Sequence, residues 1–316
     1  MRILFAASPA IAVPALEAIC GIEGIELAGV LTNPDTPKGR HGNPAPTEIS
    51  EAAQKLNIAP MLKPLKLDSA AREQVGALKC DLLVSFACGH FFGPKFLALF
   101  PMGGINIHPS LLPKYRGPSP IQAAILNRDT VTGVSIQTLA EKMDCGDILA
   151  VEQIQLTGRE TTVSLGETAA QKAAVMLPDV LKRITDGTVK KTTQNENEAS
   201  YCKLFLKNDS IIDWKQSAAE IDAKIRAFTP WPLCSSLHKE RELYILESCL
   251  YTGEKTGGAD NPSLPGKVLG IDKNCGILIQ TGDGVLAVSR LQYQAKNALF
   301  WRDFLNGARD FIGSQL

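Results

Sequence analysis

The chain has 316 residues, 45% apolar and 21% charged, with 33 basic residues against 33 acidic ones. That length suits two domains of ordinary size, and the composition excludes collagen-like, disordered and polybasic classes. With no net charge, an anionic partner must be held by local patches of cations.

No uncharged apolar run reaches the roughly 18 residues of a membrane-spanning helix, so no membrane association is expected. Ile3 to Ala7 is a short apolar run that Ser8-Pro9 interrupts, and Pro14 breaks the next uncharged stretch. This predicts a buried strand, a turn, and a helix to Cys20 with Ser8 as its cap and Pro9 in its first turn, not a secretory leader. The expected compartment is the cytoplasm. The eight cysteines contain no Cys-x-x-Cys pair, and the four histidines lack zinc spacing. Reduced, buried thiols and no metal site are the expectation.

Arg2–Ala7 reads as the first strand and Ile25–Thr32 as the second. A helix over Leu67–Leu78 precedes a buried strand at Asp81–Ala87, then a strand at Gly104–His108 and a proline-initiated helix at Pro118–Leu126. Thr132–Leu139 and Ile148–Leu156 read as paired strands, and Val163–Ile184 as a long amphipathic helix. This alternation predicts an α/β class with a doubly wound, mostly parallel, Rossmann-like sheet. Ligands in such sheets lie beyond the carboxyl ends of the strands, here near Ala7, Thr32, Ala87 and His108.

Lys190–Ser200 is polar and reads as a structureless linker. After it come a helix (Ala218–Phe228) and short strands near Leu243–Leu250, Gly266–Leu269, Gly276–Gln280 and Gly284–Leu291. A closing helix spans Phe300 to Phe311. That pattern predicts a small β-barrel of the OB-like kind. Trp214, Phe228 and Trp231 read as core residues. The expected division is 1–189 as a catalytic domain, 190–206 as a linker and 207–316 as a C-terminal β-barrel.

Chemistry concentrates in Gly104–Gly117 (GINIHPSLLPKYRG). Asn106 and His108 are two apart at a strand end and share a face, and Pro109 ends the regular run. An amide can donate to a developing oxyanion, and an imidazole moves protons near neutral pH. Asp144, in the turn between the paired strands, can return to this edge and orient the imidazole. The three together suit attack by an amine on a carbonyl-level carbon. Equally, a histidine beside proline is often structural, and Asp144 often an ordinary loop acid; spacing leaves both readings open. No glycine-rich dinucleotide or phosphate loop, G-x-S-x-G or H-E-x-x-H occurs.

The run from Ile105 to Gln122, with Thr132–Ile136 and Asp144–Asp147, resembles the signature of the folate-dependent formyltransferases. Ile212–Trp214, Ile225–Pro232 and Thr281–Gly284 resemble the members of that family that formylate methionyl-tRNA. The resemblance implies transfer of a formyl group from 10-formyltetrahydrofolate to the amino group of methionine on initiator tRNA, by a monomer. It places Asn106, His108 and Asp144 on catalytic positions. Ser110, Leu111, Leu112 and Pro113 fall where the family lays its folate, with Phe86, Gly89 and Phe91 alongside. It assigns the Pro/Gly-rich segment 33–46, with Lys38 and Arg40, to the acceptor end of the tRNA. Lys190, Lys191, Lys203 and Lys207 are added as backbone-tracking cations. Two departures stand out: Ala7-Ser8 where Gly-Thr is usual, and Cys88-Gly89-His90 where an aromatic-Gly and aliphatics are common. The alternatives are formylation of a nucleotide-linked amino sugar, and a non-catalytic nucleic-acid-binding protein on the same scaffold.

Overall fold

A computed structural model describes residues 1–38, 43–253 and 264–316. The chain separates into two compact units. The first comprises Met1–Pro120, Val131–Gln155 and Gly166–Lys203; the second comprises Ile121–Thr130, Leu156–Leu165 and Leu204–Leu316.

In chain order, β1 (Arg2–Ala7) leads through a 3-10 turn to α1 (Val13–Ile19) and β2 (Glu26–Leu31). A small hairpin, β3 (Thr36–Lys38) and β4 (Asn43–Ala45), precedes α2 (Glu48–Lys55) and β5 (Met61–Leu62). Then come α3 (Ser69–Ala77), β6 (Leu82–Phe86), α4 (Pro94–Leu97), β7 (Gly104–His108), α5 (Pro120–Leu126), β8 (Val131–Thr138), β9 (Ile148–Gln155) and α6 (Thr162–Thr185). The main sheet runs β5-β2-β1-β6-β7-β8-β9. It is parallel as far as β7, and β8 and β9 are antiparallel. The expected doubly wound sheet is therefore present.

Central strands are buried on both faces: all five residues of β6 are buried. Leu4, Leu31, Val75, Leu83 and the mutually tilted rings of Phe92, Phe96 and Phe100 form one buried cluster. Side-chain caps start the outer helices. Thr47 Oγ1 accepts from Ser50 N at 3.1 Å, and Asp68 Oδ1 from Ala71 N at 3.0 Å.

Ser8 does not cap a helix. The first turn begins at Pro9 without a side-chain cap. Ser8 Oγ instead donates to the Cys88 carbonyl and accepts from Asn33 N at 3.1 Å. It ties the carboxyl ends of β2 and β6 at the point where strand order reverses on either side of β1, a better use of a buried hydroxyl than a cap exposed to water.

Lys190–Ser200 is not structureless either. Thr192 bridges Ile148, Glu196–Glu198 forms a 3-10 turn, and Gln194 is buried. Its polar side chains satisfy buried partners in the first unit, which composition alone could not reveal.

The second unit holds α7 (Ala218–Phe228), β10 (Cys234–His238), β11 (Arg241–Leu250), β12 (Val268–Asp272), β13 (Gly276–Gln280), β14 (Val285–Tyr293), β15 (Leu299–Phe300) and α8 (Trp301–Gly307). The strands form one antiparallel sheet, β10-β11-β14-β13-β12, with β15 beside β14. Ser217 and Glu220 close a reciprocal capping box at the start of α7. Helix α8 ends at Gly307, short of the expected Phe311, yet Phe304 and Phe311 are both buried and pack edge-on. Trp214 and Phe228 lie in the core, whereas Trp231 is 60% exposed. Cys80, Cys88 and Cys234 are buried as expected, and Cys20 and Cys249 are exposed. Burial pushes the Cys88 and Cys234 thiols up to about 12. Among the described residues no helix is long and apolar enough to cross a membrane.

Candidate active site

Strand β7 carries Asn106 and His108 at its carboxyl end, beside β8. The register sets Asn106 opposite Gln137 and His108 opposite Ser135. Directly opposed residues of an antiparallel pair share a face, so these four side chains line one patch. Asp144 reaches that patch from the β8–β9 turn with φ +55°, a left-handed conformation that aspartate tolerates better than most residues.

The Asp144 carboxylate is held on both sides. Its Oδ1 accepts from Gln137 Nε2 at 2.9 Å and from Asn106 Nδ2 at 3.4 Å. Its Oδ2 accepts from Gly117 N at 2.8 Å and stands 3.6 Å from His108 Nδ1. His108 is 4% exposed, and its Nε2 lies 2.8 Å from the Tyr115 carbonyl. Both neighbours only accept, but the Tyr115 carbonyl is within hydrogen-bonding distance of Nε2 and Asp144 Oδ2 is not within it of Nδ1, so the neutral ring makes its one hydrogen bond with the proton on Nε2 and Nδ1 turned toward Asp144. Burial lowers the proton affinity of His108 below that of a free imidazole; Asp144 and the Tyr115 carbonyl oppose this in part. The ring is thus a neutral base beside a carboxylate that stabilises its charged form.

Two glycines make the close approaches possible. A Cβ on Gly146 would lie 1.7 Å from the Thr138 carbonyl oxygen, and one on Gly117 would lie 2.4 Å from the Cys202 carbonyl oxygen. Ser135 Oγ donates to Ser110 O at 2.7 Å and accepts from Leu112 N at 3.1 Å, pinning the Ser110–Pro113 turn to β8.

Arg116 has no solvent exposure. Its guanidinium donates to Gln194 Oε1 (2.9 and 3.0 Å), to both Glu196 oxygens (2.7 and 2.9 Å) and to Tyr201 Oη (3.1 Å). Bonding to Glu196 raises its proton affinity further. Gln194 Nε2 in turn donates to the carbonyls of Asp144 (2.9 Å) and Gly146 (2.7 Å). Arg116 lies within the Gly104–Gly117 run, but sequence pattern assigns no role in the site to it, to Gln137 or to Gln194. The only hint of Gln137 is its place two residues after Ser135 on a strand, which means nothing until the register with β7 is known.

The segments expected beside a folate divide by exposure. Phe86 and Ser110 are fully buried, and Ser110 Oγ donates to Lys114 O at 2.5 Å. Neither side chain presents surface, so a ligand here would meet their neighbours. Leu112 is also buried; Leu111 and Pro113 are partly exposed, and Gly89 and Phe91 are exposed in the turn after β6. His90 beside them has a buried Nε2 with no partner, and burial lowers its proton affinity.

Of the expected cations, Lys190, Lys191, Lys203 and Lys207 are exposed, and Lys207 Nζ lies 3.6 Å from Glu242 Oε1. The backbone of Lys38 lies in β3; Arg40 lies outside the described residues. Among the described residues no group of three or more His, Cys, Asp or Glu is placed to hold a metal ion.

The carboxyl end of β7 thus brings together an amide, an imidazole and a carboxylate in the first unit, and the second unit is a separate antiparallel sheet. Residues 2–181 match the family model "Formyl transferase", and residues 206–309 match "Formyl transferase, C-terminal domain". The chain belongs to the formyl transferase family. It is 49% identical to the methionyl-tRNA formyltransferase of Treponema denticola, over 99% of this chain and 98% of that one. The proteins of the same name from Treponema pallidum and Borrelia duttonii are 40% and 37% identical, over 98% and 99% of this chain and 97% and 99% of theirs. Solved structures share the fold at lower identity. One is HypX from Aquifex aeolicus in complex with tetrahydrofolic acid (TM-score 0.65, 17% identity, 99% of this chain and 48% of that one). Another is an N-formyltransferase from Helicobacter canadensis with folinic acid and dTDP-3-aminofucose (TM-score 0.64, 20% identity, 91% and 98%).

Proposed function

We propose that this chain transfers the formyl group of 10-formyltetrahydrofolate to the α-amino group of methionine on initiator tRNA, in the cytoplasm and as a monomer. The observation that carries the reading is the Asp144 carboxylate set between Asn106 Nδ2 and His108 Nδ1. The full-length relatives named for methionyl-tRNA support the acceptor, against the amino-sugar alternative. The tetrahydrofolic and folinic acids in the solved relatives support the donor.

In this reading the uncharged amine attacks the formyl carbon and the carbonyl oxygen becomes an oxyanion. Asn106 Nδ2 has two hydrogens; one faces Asp144, and the other is available to the oxyanion. A donor so placed contributes a few kcal/mol to the transition state. His108 takes a proton from the attacking amine at Nδ1, and Asp144 stabilises the imidazolium. The proton then passes to N10 of the folate as the carbon–nitrogen bond breaks, leaving tetrahydrofolate and formyl-methionyl-tRNA.

The folate lies along Ser110–Pro113 and the turn bearing Gly89 and Phe91, with the Phe86 backbone behind it. Lys38, Arg40, Lys190, Lys191, Lys203 and Lys207 meet tRNA phosphates. The test is a transfer assay with 10-formyltetrahydrofolate and methionyl-initiator tRNA, run beside a nucleotide-linked amino sugar. Formylation of the sugar alone would overturn the reading.

A further inference from the structure

The Asp144 carboxylate is useful only while one oxygen faces His108 and the other faces Asn106. A carboxylate on a turn rotates unless its oxygens are held, and misplacement by about 1 Å costs on the order of a hundredfold in rate. Beside the Gly117 amide on Oδ2, two glutamines supply the restraint. Gln137 is 1% exposed and has a single sensible amide orientation. Its Nε2 donates to Asp144 Oδ1 at 2.9 Å, while its Oε1 accepts from Gly146 N and Gln194 Nε2, both at 3.2 Å. Gln194, also buried, holds the backbone of the same turn through the Asp144 and Gly146 carbonyls. Its own orientation is set from behind, because Arg116 donates twice to Gln194 Oε1 and cannot accept.

We propose that Gln137 and Gln194 are positioning residues for the transfer, holding the Asp144 carboxylate in the one orientation that serves Asn106 and His108 together. Arg116 locks the pair from behind, so the restraint runs Arg116, Gln194, Gln137, Asp144, all within the first unit. The inference rests on the proposed roles of Asn106, His108 and Asp144. It adds that residues of β8 and of the segment after α6 help to hold the catalytic turn.

The test is a kinetic double-mutant cycle on the full chain with methionyl-tRNA and 10-formyltetrahydrofolate. Gln137→Met keeps the volume and removes the donor. It should lower kcat about tenfold to a hundredfold, with KM for both substrates within about twofold. In an Asp144→Asn background the same change should cost almost nothing further, because the group it positions is already disabled. Gln137→Glu keeps the shape and replaces the donor with an acceptor; it should be at least as damaging. Gln194→Met should behave as Gln137→Met does. Thermal unfolding of each variant identifies folded protein, and Gln137→Glu carries the test should Gln137→Met fail to accumulate. Unchanged kcat in folded variants, or equal losses in both Asp144 backgrounds, would sink the positioning role and leave the formyl-transfer reading intact. Absence of transfer by the unaltered chain would instead strike that reading itself.

Discussion

Asn106 and Gln137 face each other across β7 and β8, and both donate to the same oxygen of Asp144. Strand pairing therefore sets the distance between the proposed oxyanion donor and the carboxylate. The other oxygen is left to the Gly117 amide and to His108.

His108→Ala should fold and lose transfer by about a hundredfold to ten-thousandfold, the usual cost of a positioned acid/base. Asn106→Ala should lose about a hundredfold to a thousandfold as an oxyanion donor. Single-turnover formylation rates check both. Near-normal turnover by His108→Ala would remove it from the mechanism.

The pH profile should report the buried imidazole. Burial lowers the proton affinity of His108, so the acidic limb of kcat/KM should lie below the ordinary histidine value of about 6.5. Asp144 opposes that shift. Asp144→Asn should therefore slow transfer and move the limb to still lower pH, while folate affinity changes little. A limb that moves upward would place Asp144 outside the contact with His108.

Gly146→Ala should damage the site without touching a titratable group. The new Cβ would lie 1.7 Å from the Thr138 carbonyl oxygen, which is backbone and cannot swing away. The turn must shift, at a cost of about 1–3 kcal/mol, and Asp144 shifts with it. Thermal unfolding and kcat should fall together; a variant with unaltered kcat would show that the turn has slack.

Acid should destabilise the fold through three of its histidines. His90, His108 and His238 all have lowered proton affinity, in each case chiefly from burial. The unfolded chain, titrating near 6.5, then binds more protons than the folded one as pH falls. Stability is fully present above that value and is lost as pH drops through the lowered folded values. His238, whose Nε2 is buried without a partner, should contribute, with Asp310 favouring its charged form and Lys239 and Arg241 opposing it. Urea unfolding of the unaltered chain and of His238→Phe between pH 7.5 and about 5 should give the variant the shallower slope; equal slopes would clear His238.

Much of this protein is legible as pattern. Residues Arg2–Ala7, Gly104–His108, Ala218–Phe228 and Gly276–Gln280 form the elements expected of them. Asn106 and His108 share a face because a strand repeats every two residues. Strand β10 escapes such reading because Cys-Ser-Ser-Leu-His has no alternating apolar pattern, and α2 because it lies close behind a Pro/Gly-rich stretch. Segment 190–200 has the polarity of a linker, though Gln194 is buried and each end of its amide is matched by a protein partner.

The sequence by itself indicated two parts, the strand end at which the chemistry is proposed to sit, and three residue types suited to attack by an amine on a formyl carbon. These are local properties: strand period, proline and glycine placement, and side-chain chemistry within a few positions. Tertiary structure decided which partners hold those residues still. Gln137 reaches Asp144 only through the register of β7 with β8, and Gln194 only because a segment 50 residues beyond Asp144 folds back against the turn. Contacts at such separations leave no periodic trace along the chain. They arise when buried polar groups must each find a partner, and that requirement is met in three dimensions.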